Sequence, residues 1–175
     1  MADIDLLDDL ENAAERKRDT IARFERGDRW FVGIDASNGK LTNYRWVSTT
    51  WELVPELERH VLLKPGQALI YALYTVPEYR QRGIDALTRS HTYDVLLASG
   101  ITNTICTIFA ENTVSMKAGR RFLKKIGRIW YICLRGGRTR VFWWPNPEMP
   151  AFEPISSARA SAQPEAQQRF NRWSA

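Results

Sequence analysis

Arg80-Gln81-Arg82-Gly83-Ile84 joins an apolar run, Leu69 to Val76, to a stretch in which Ile84, Leu87, Val95 and Leu96 fall on one side of a helix. A turn that enters a helix offers backbone N–H groups without partners and the positive end of the helix dipole. Gly83 lets the backbone approach a bound group closely, and Arg80 and Arg82 add positive charge. Such a combination suits a phosphate or pyrophosphate. Neither Gly-x-x-x-x-Gly-Lys-Ser/Thr nor Gly-x-Gly-x-x-Gly occurs, so nucleotide hydrolysis and dinucleotide redox chemistry have no support. Solvated arginines on an ordinary strand-to-helix loop are the competing reading.

The elements that must position this turn follow from periodicity. Residues 3–26 are predicted as one helix, with Ile4, Leu7, Leu10, Ala14, Ile21 and Phe24 on its apolar side, Asp3 or Asp5 as cap, and Gly27-Asp28 as its end. Arg29–Ile34 and Leu41–Ser48 read as a hairpin across Asp35–Lys40, and residues 49–66 as irregular or partly helical. Gln67–Val76 suits a central strand buried on both faces, stopped by Pro77. A helix is expected from Gly83 to Ser99 and a strand from Ile101 to Phe109. A further helix runs from Asn112 or Thr113 to about Phe122. Lys125–Leu134 and Thr139–Trp144 form a last hairpin. The order implies an α/β or α+β fold with a mixed sheet, antiparallel at both ends. Three regions are expected: a helix over 1–27, a domain over 28–147, and a tail over 148–175 rich in Pro, Ala and Gln with no core-forming pattern. Within that tail, Arg169–Trp173 reads as a short docking helix or as disorder.

At 175 residues and 44% hydrophobic, the chain can bury a core of ordinary domain size. No apolar run nears the ~20 residues of a membrane span, and the acidic start is unlike a signal peptide, which points to the cytoplasm. Cys106 and Cys133 read as small buried hydrophobes, and with His60 and His91 as the only histidines no metal cluster forms. Residues 112–147 carry nine Lys or Arg and no acid, while residues 1–28 carry nine acids and five bases. The basic stretch fits an anionic partner or a set of solvated faces. Its aromatics, Trp130, Tyr131, Phe142, Trp143 and Trp144, could stack on nucleic acid or line an acceptor pocket, with sheet and core packing as the default. No nucleic-acid motif accompanies them.

Tyr74-Thr-Val-Pro-Glu-Tyr-Arg-Gln-Arg-Gly-Ile84 resembles motif A of the GNAT N-acetyltransferase superfamily, in which a strand ends V-x-P-x-x-R and continues R/Q-x-x-G-x-G/A. Glu111-Asn112-Thr-Val-Ser115 is similar to the N-x-x-S/A start of that family's next helix. The element order matches over roughly residues 28–144. The resemblance implies a GNAT-like sheet with parallel strands splayed at the cofactor, and acetyl-CoA or another acyl-CoA as co-substrate. It places the pyrophosphate on the amides of Gln81, Arg82, Gly83, Ile84, Asp85 and Ala86. It places pantetheine along Leu73, Tyr74, Thr75 and Val76, and the thioester near Leu73–Tyr74 and Phe109. Asn112 and Ser115 would contact pantetheine or the leaving thiol. Two positions depart from the pattern: Asp85 replaces the final Gly/Ala, and Gly119 stands where many members carry a Tyr acid. Asp85 either points away as an acid at a helix start or opposes the phosphate.

Acylation of an amine needs a base for the ammonium and often an acid for the thiolate. Glu111, placed at the end of a core strand, is the candidate base, and Tyr131 and Ser115 are candidate acids. Glu78 in the loop is a further carboxylate, and Glu52, Glu56, Glu58 and His60 lie in the irregular segment that, by the resemblance, builds acceptor specificity. The expected function is acyl-CoA-dependent N-acylation of a small-molecule or peptide amine, with a second copy or partner chain completing a trimmed acceptor side. A GNAT-fold binding protein without catalysis is the alternative.

Overall fold

A computed structural model describes residues 4–134, 138–144 and 146–155. Asp3, the turn over 135–137 and the segment Arg169–Trp173 lie outside the described residues. The chain divides into two compact units, Met1–Thr49 with Pro65–Thr107, and Thr50–Lys64 with Ile108–Ala175.

The first unit is built on a four-stranded sheet in the order β1 (Arg29–Ile34), β2 (Leu41–Ser48), β5 (Gln67–Thr75), β6 (Asn103–Ile105). Strands β1 (Arg29–Ile34) and β2 (Leu41–Ser48) form the expected hairpin. β2 is buried along its whole length because a helix covers each face. Tyr44, Trp46 and Leu41 pack with Leu7 and Phe24 from the N-terminal segment, while Val47 packs with Ala68, Ile70 and Leu96 on the other side. The predicted helix over 3–26 is in fact two pieces, a 3-10 turn (Ile4–Leu7) and helix α1 (Ala13–Glu25). They part at Asn12, which adopts φ 59, a left-handed conformation that Asn tolerates better than most residues. Lys17 ties the two pieces together through Asp5 (3.0 Å) and Asp8 (2.8 Å).

Strand β5 (Gln67–Thr75) pairs antiparallel with β2 and parallel with β6 (Asn103–Ile105). Only Ala68, Leu69 and Ile70 are fully buried, so the expectation of a strand buried throughout holds for its first half alone. The predicted strand over 101–109 shrinks to three residues: the parallel ladder ends at Leu69 opposite Ile105. Just beyond, Ala72 adopts φ 46 and the register with β2 slips between Tyr44 and Trp46. That is a bulge, which bends and twists a strand locally. It turns Tyr71 and Tyr74 to the same face and leaves Leu73 53% exposed. Helix α2 (Ile84–Ala98) follows and packs on β1 and β2.

In the second unit, residues 51–62 are a hairpin rather than irregular: β3 (Trp51–Val54) pairs antiparallel with β4 (Arg59–Leu62). A 3-10 turn led by Pro55 and the left-handed Glu58 (φ 49) make the connection. β9 (Ala151–Pro154) adds to β4, so the region after 148 does contain secondary structure. Phe152 packs on Val54, Leu57 and Val61, and Met149 is buried against Gly127. The proline spacing hid this strand, because Pro150 and Pro154 flank an edge position where a missing N–H is tolerated. Helix α3 is shorter than expected, Thr113–Gly119. β7 (Ile129–Leu134) and β8 (Arg138–Trp143) pair only with each other among the described residues, so the mixed sheet is antiparallel at one end, not both. Trp130, Tyr131, Phe142 and Trp144 are exposed rather than packed, as is Cys133. No described helix is long and apolar enough to cross a membrane.

Removing the chain after Pro147 strips β9 and Met149 from the second unit. Loss of the buried Met149 and the half-buried Phe152 costs about 2–5 kcal/mol, and a lowered melting temperature relative to the full chain checks it.

Candidate functional site

The turn singled out in the sequence is built from both sides. After β5, Pro77–Tyr79 makes a 3-10 turn, and Arg80 Nε reaches back to the Thr75 carbonyl at 3.0 Å. Gln81 and Gly83 then take φ 61 and φ 75, with Arg82 between them at ordinary negative φ. Alternating handedness of this kind points successive N–H groups into one concavity. The amides of Gln81, Arg82, Gly83, Ile84 and Asp85 have no acceptor among the described residues. Ala86 differs: its N–H is donated to the Gly83 carbonyl at 3.0 Å, inside the first turn of α2. No atom lies within 4 Å of where a Gly83 Cβ would stand, so the concavity is open there. The residues therefore fit a diphosphate, with amides and a helix dipole as donors and Arg82 exposed beside them.

Asp85 is turned away from that concavity. Its Oδ1 accepts from Arg45 Nη2 at 2.7 Å, and its Oδ2 is bonded by Arg89 Nη2, one helical turn on. Arg45 Nη2 also donates to the Asp85 carbonyl at 2.9 Å. Arg45 stands on β2 with its side chain 1% exposed. Burial pushes its guanidinium below the usual value, and the Asp85 carboxylate opposes that shift. The two cations outweigh the single carboxylate, so the start of α2 keeps a net positive charge. Beside this pair, Thr88 Oγ1 donates to Asn43 Oδ1 at 2.9 Å, and Gly33 is needed because a Cβ would come within 2.3 Å of that same oxygen. Sequence alternation puts Arg45 on the face opposite Trp46 but gives no hint that the face is covered.

The residues expected along pantetheine, Leu73 to Val76, lie beyond the end of the parallel ladder. Leu73, Tyr74 and Thr75 have β2 as their one strand neighbour among the described residues. Tyr74 stacks on Tyr44 (5.6 Å) and under the Arg16 guanidinium (4.6 Å), which places its ring in the sheet face toward α1. His91 is exposed on α2, edge-on to Phe31.

In the second unit, Asn112 caps α3, its Oδ1 accepting from Ser115 N at 3.0 Å. The cap leaves the Asn112 amide nitrogen and the half-buried Ser115 hydroxyl on the same helical turn. Glu111 does not close a core strand: it is exposed in the turn before α3, because β6 has already ended at Ile105. Phe109 is likewise exposed. Tyr131 is 39% exposed, and what desolvation its hydroxyl keeps holds it above its usual value first, with the charges of Glu56, Cys133 and Glu111 adding to it. Three sequence candidates, Glu56, Glu111 and Tyr131, thus share one electrostatic neighbourhood. The Glu56 carboxyl is itself raised by burial. Glu58 has a different task, accepting from Thr139 N at 3.4 Å on β8, and His60 is buried against Trp51. Gly119, where a family Tyr would stand, is buried with a Cβ position 2.8 Å from Leu123. Among the described residues no group of His, Cys, Asp or Glu could hold a metal ion.

Asp85→Ala leaves Arg45 buried without its carboxylate, and an uncompensated buried charge costs on the order of 3 kcal/mol. Thermal unfolding of Asp85→Ala, and of Asp85→Ala with Arg45→Met, measures it: the single change lowers the melting temperature and the second recovers part of the loss.

The sequence matches no family model and no curated protein. The fold does match solved structures. The complex of AAC(6')-Iy with the bisubstrate analogue CoA-S-monomethyl-acetylneamine superposes with a TM-score of 0.54 over 70% of this chain and 80% of that one, at 14% identity. A probable acetyltransferase superposes with a TM-score of 0.50 over 66% and 73%, at 9% identity. At such identity the likeness is one of fold. The chain has the fold of the GNAT-type acetyltransferases.

Proposed function

We propose that this protein is an acyl-CoA-dependent N-acyltransferase, with acetyl as the transferred group and a small-molecule or peptide amine as acceptor. The observation that carries the reading is the run of amides from Gln81 to Asp85, opened by positive φ at Gln81 and Gly83 and kept cationic by Arg45 and Arg89. A diphosphate is the ligand chemistry this run is built for. The end of β5 offers backbone groups for an extended amide-bearing arm by strand addition. Pantetheine is such an arm, and Leu73 to Val76 are the residues assigned to it. The reading carries the cytoplasm as the compartment.

The proton-handling roles go to Glu111 as base for the ammonium and to Tyr131 or Ser115 as acid for the thiolate. The amine nitrogen attacks the thioester carbon, the carbon–sulfur bond breaks, and the thiolate takes a proton. A phenol held above its usual value stays protonated at neutral pH and keeps its proton for that step. Asn112 and Ser115 are assigned to the pantetheine end. A second reading, coenzyme A binding without turnover, is favoured by one observation: a glycine stands where the resemblance expects a Tyr acid, and a side chain there would have to displace Leu123.

Acetyl-CoA at about 100 times its Kd stabilises a native protein by roughly 2.7 kcal/mol, which raises the melting temperature by about 5–10 °C in a chain of this size. Radiolabelled transfer to an amine panel then separates the two readings. No thermal shift with any acyl-CoA would end both. Where transfer occurs, the alkaline limb of kcat is shifted upward from that of an ordinary phenol, since the Tyr131 proton is held more tightly than in a free phenol, and Tyr131→Phe removes that limb.

A further inference from the structure

The turn between β1 and β2 reaches the loop that follows β5. Tyr79 Oη donates to Asp35 Oδ2 at 2.9 Å, and Asn38 Nδ2 lies 3.3 Å from both that oxygen and the Tyr79 hydroxyl. Asp35 Oδ1 accepts from the Ser37 amide (2.9 Å) and hydroxyl (2.7 Å). The carboxylate is thus held by four donors. Hydrogen bonds from Ser37 and then Tyr79 keep it below the usual carboxylate range, so it is ionised at neutral pH. The Tyr79 ring in turn lies under the Arg82 guanidinium, 5.5 Å from its centroid.

Gln81 explains why the loop needs an anchor. A non-glycine residue at φ 61 is strained, and such a conformation persists only where the surroundings over-determine it. On the far side of Gln81, Asp85 is fixed to β2 through Arg45. On the near side, the side chains that fix the loop are Arg80, on the Thr75 carbonyl, and Tyr79, on Asp35.

We propose that Asp35 and Tyr79 are positioning residues for the diphosphate: the β1–β2 turn clasps the loop and holds the Gln81–Gly83 amides and Arg82 in their anion-binding arrangement before ligand arrives. The inference rests on the acyl-CoA reading above and adds to it a part of the chain, the first hairpin turn, that the sequence motif does not include. The gain is preorganisation: a loop already ordered loses less entropy when the ligand binds.

The test is isothermal titration of coenzyme A into the wild-type protein, Asp35→Ala, Tyr79→Phe and the double variant, with amide hydrogen exchange over residues 77–83 in the unliganded proteins. Tyr79→Phe keeps the ring beneath Arg82 and removes only the hydroxyl. Each single change weakens binding by about tenfold, the worth of one hydrogen bond to a charged group. The double variant is no more than about twofold worse than either, because both remove the same bond. Exchange over 77–83 quickens, while kcat at saturating acyl-CoA stays within about twofold of wild type, since neither residue touches the reacting atoms. Wild-type binding with unchanged affinity in the variants, or unchanged exchange over the loop, overturns the clasp and leaves the acyl-CoA reading standing. No binding to the wild-type protein overturns the acyl-CoA reading, and the clasp as a ligand-positioning device falls with it.

Discussion

β5 is flanked on both sides only as far as Leu69, and the rest of the first unit is arranged around that fact. The antiparallel ladder with β2 carries the strand on to Thr75, and Val76 N continues it to the Thr42 carbonyl at 2.9 Å. The bulge at Ala72 changes which residues face inward, so Tyr71 and Tyr74 both join the aromatic layer beneath α1 and Leu73 emerges. Arginines from α1 cover that layer: Arg16 over Tyr74, and Arg23 over Trp46 and Tyr71. Arg26 and Asp28, 2.5 Å apart, close its edge on the Tyr71 hydroxyl. A strand whose backbone is to receive a ligand has to be held by one neighbour and by its side chains, and this packing supplies both.

The second constraint is electrostatic. An acid near a diphosphate is unfavourable unless its charge is taken up elsewhere. Here a buried guanidinium from the sheet and a largely buried arginine from the helix take it up. Desolvation makes a buried arginine costly unless it is paired, so Arg45 and Asp85 each depend on the other. The pair also links the start of α2 to the strand beside β5, which fixes the turn relative to the strand end. Asp85, where the resemblance to motif A leads one to expect Gly or Ala, therefore has its charge partners in place and faces the sheet.

Much of the first unit was legible in the sequence because each element there carries its own local signal. The hairpin Arg29–Ser48 has clean alternation and a polar turn, α2 has a glycine at each end, and the strand–turn–helix follows from Pro77 and Gly83. What the sequence did not disclose depends on contacts between distant residues. β3, β4 and β9 are four residues each, too short for a period to register, and β9 follows Pro150 and ends on Pro154. The apolar run Thr104 to Phe109 reads as strand by propensity, yet only the part opposite β5 pairs. The break at Asn12 and the left-handed Gln81 are conformations that no hydrophobic pattern encodes. In the candidate site, the motif residues were readable one by one, whereas Arg45, Asp35 and the shared surroundings of Glu56, Glu111 and Tyr131 follow only from the folded chain.

The central claim is that one contiguous piece of backbone, from the end of β5 through the turn into α2, receives an acyl-CoA. The most direct measurement is a backbone amide chemical-shift titration of the isotopically labelled protein with coenzyme A. The account predicts that the amides of Gln81 to Asp85 move most, that those of Leu73 to Val76 move with the same dissociation constant, and that Ala86, already bonded within α2, moves less. Saturable shifts centred elsewhere, with the Gln81–Asp85 amides unmoved, would contradict it.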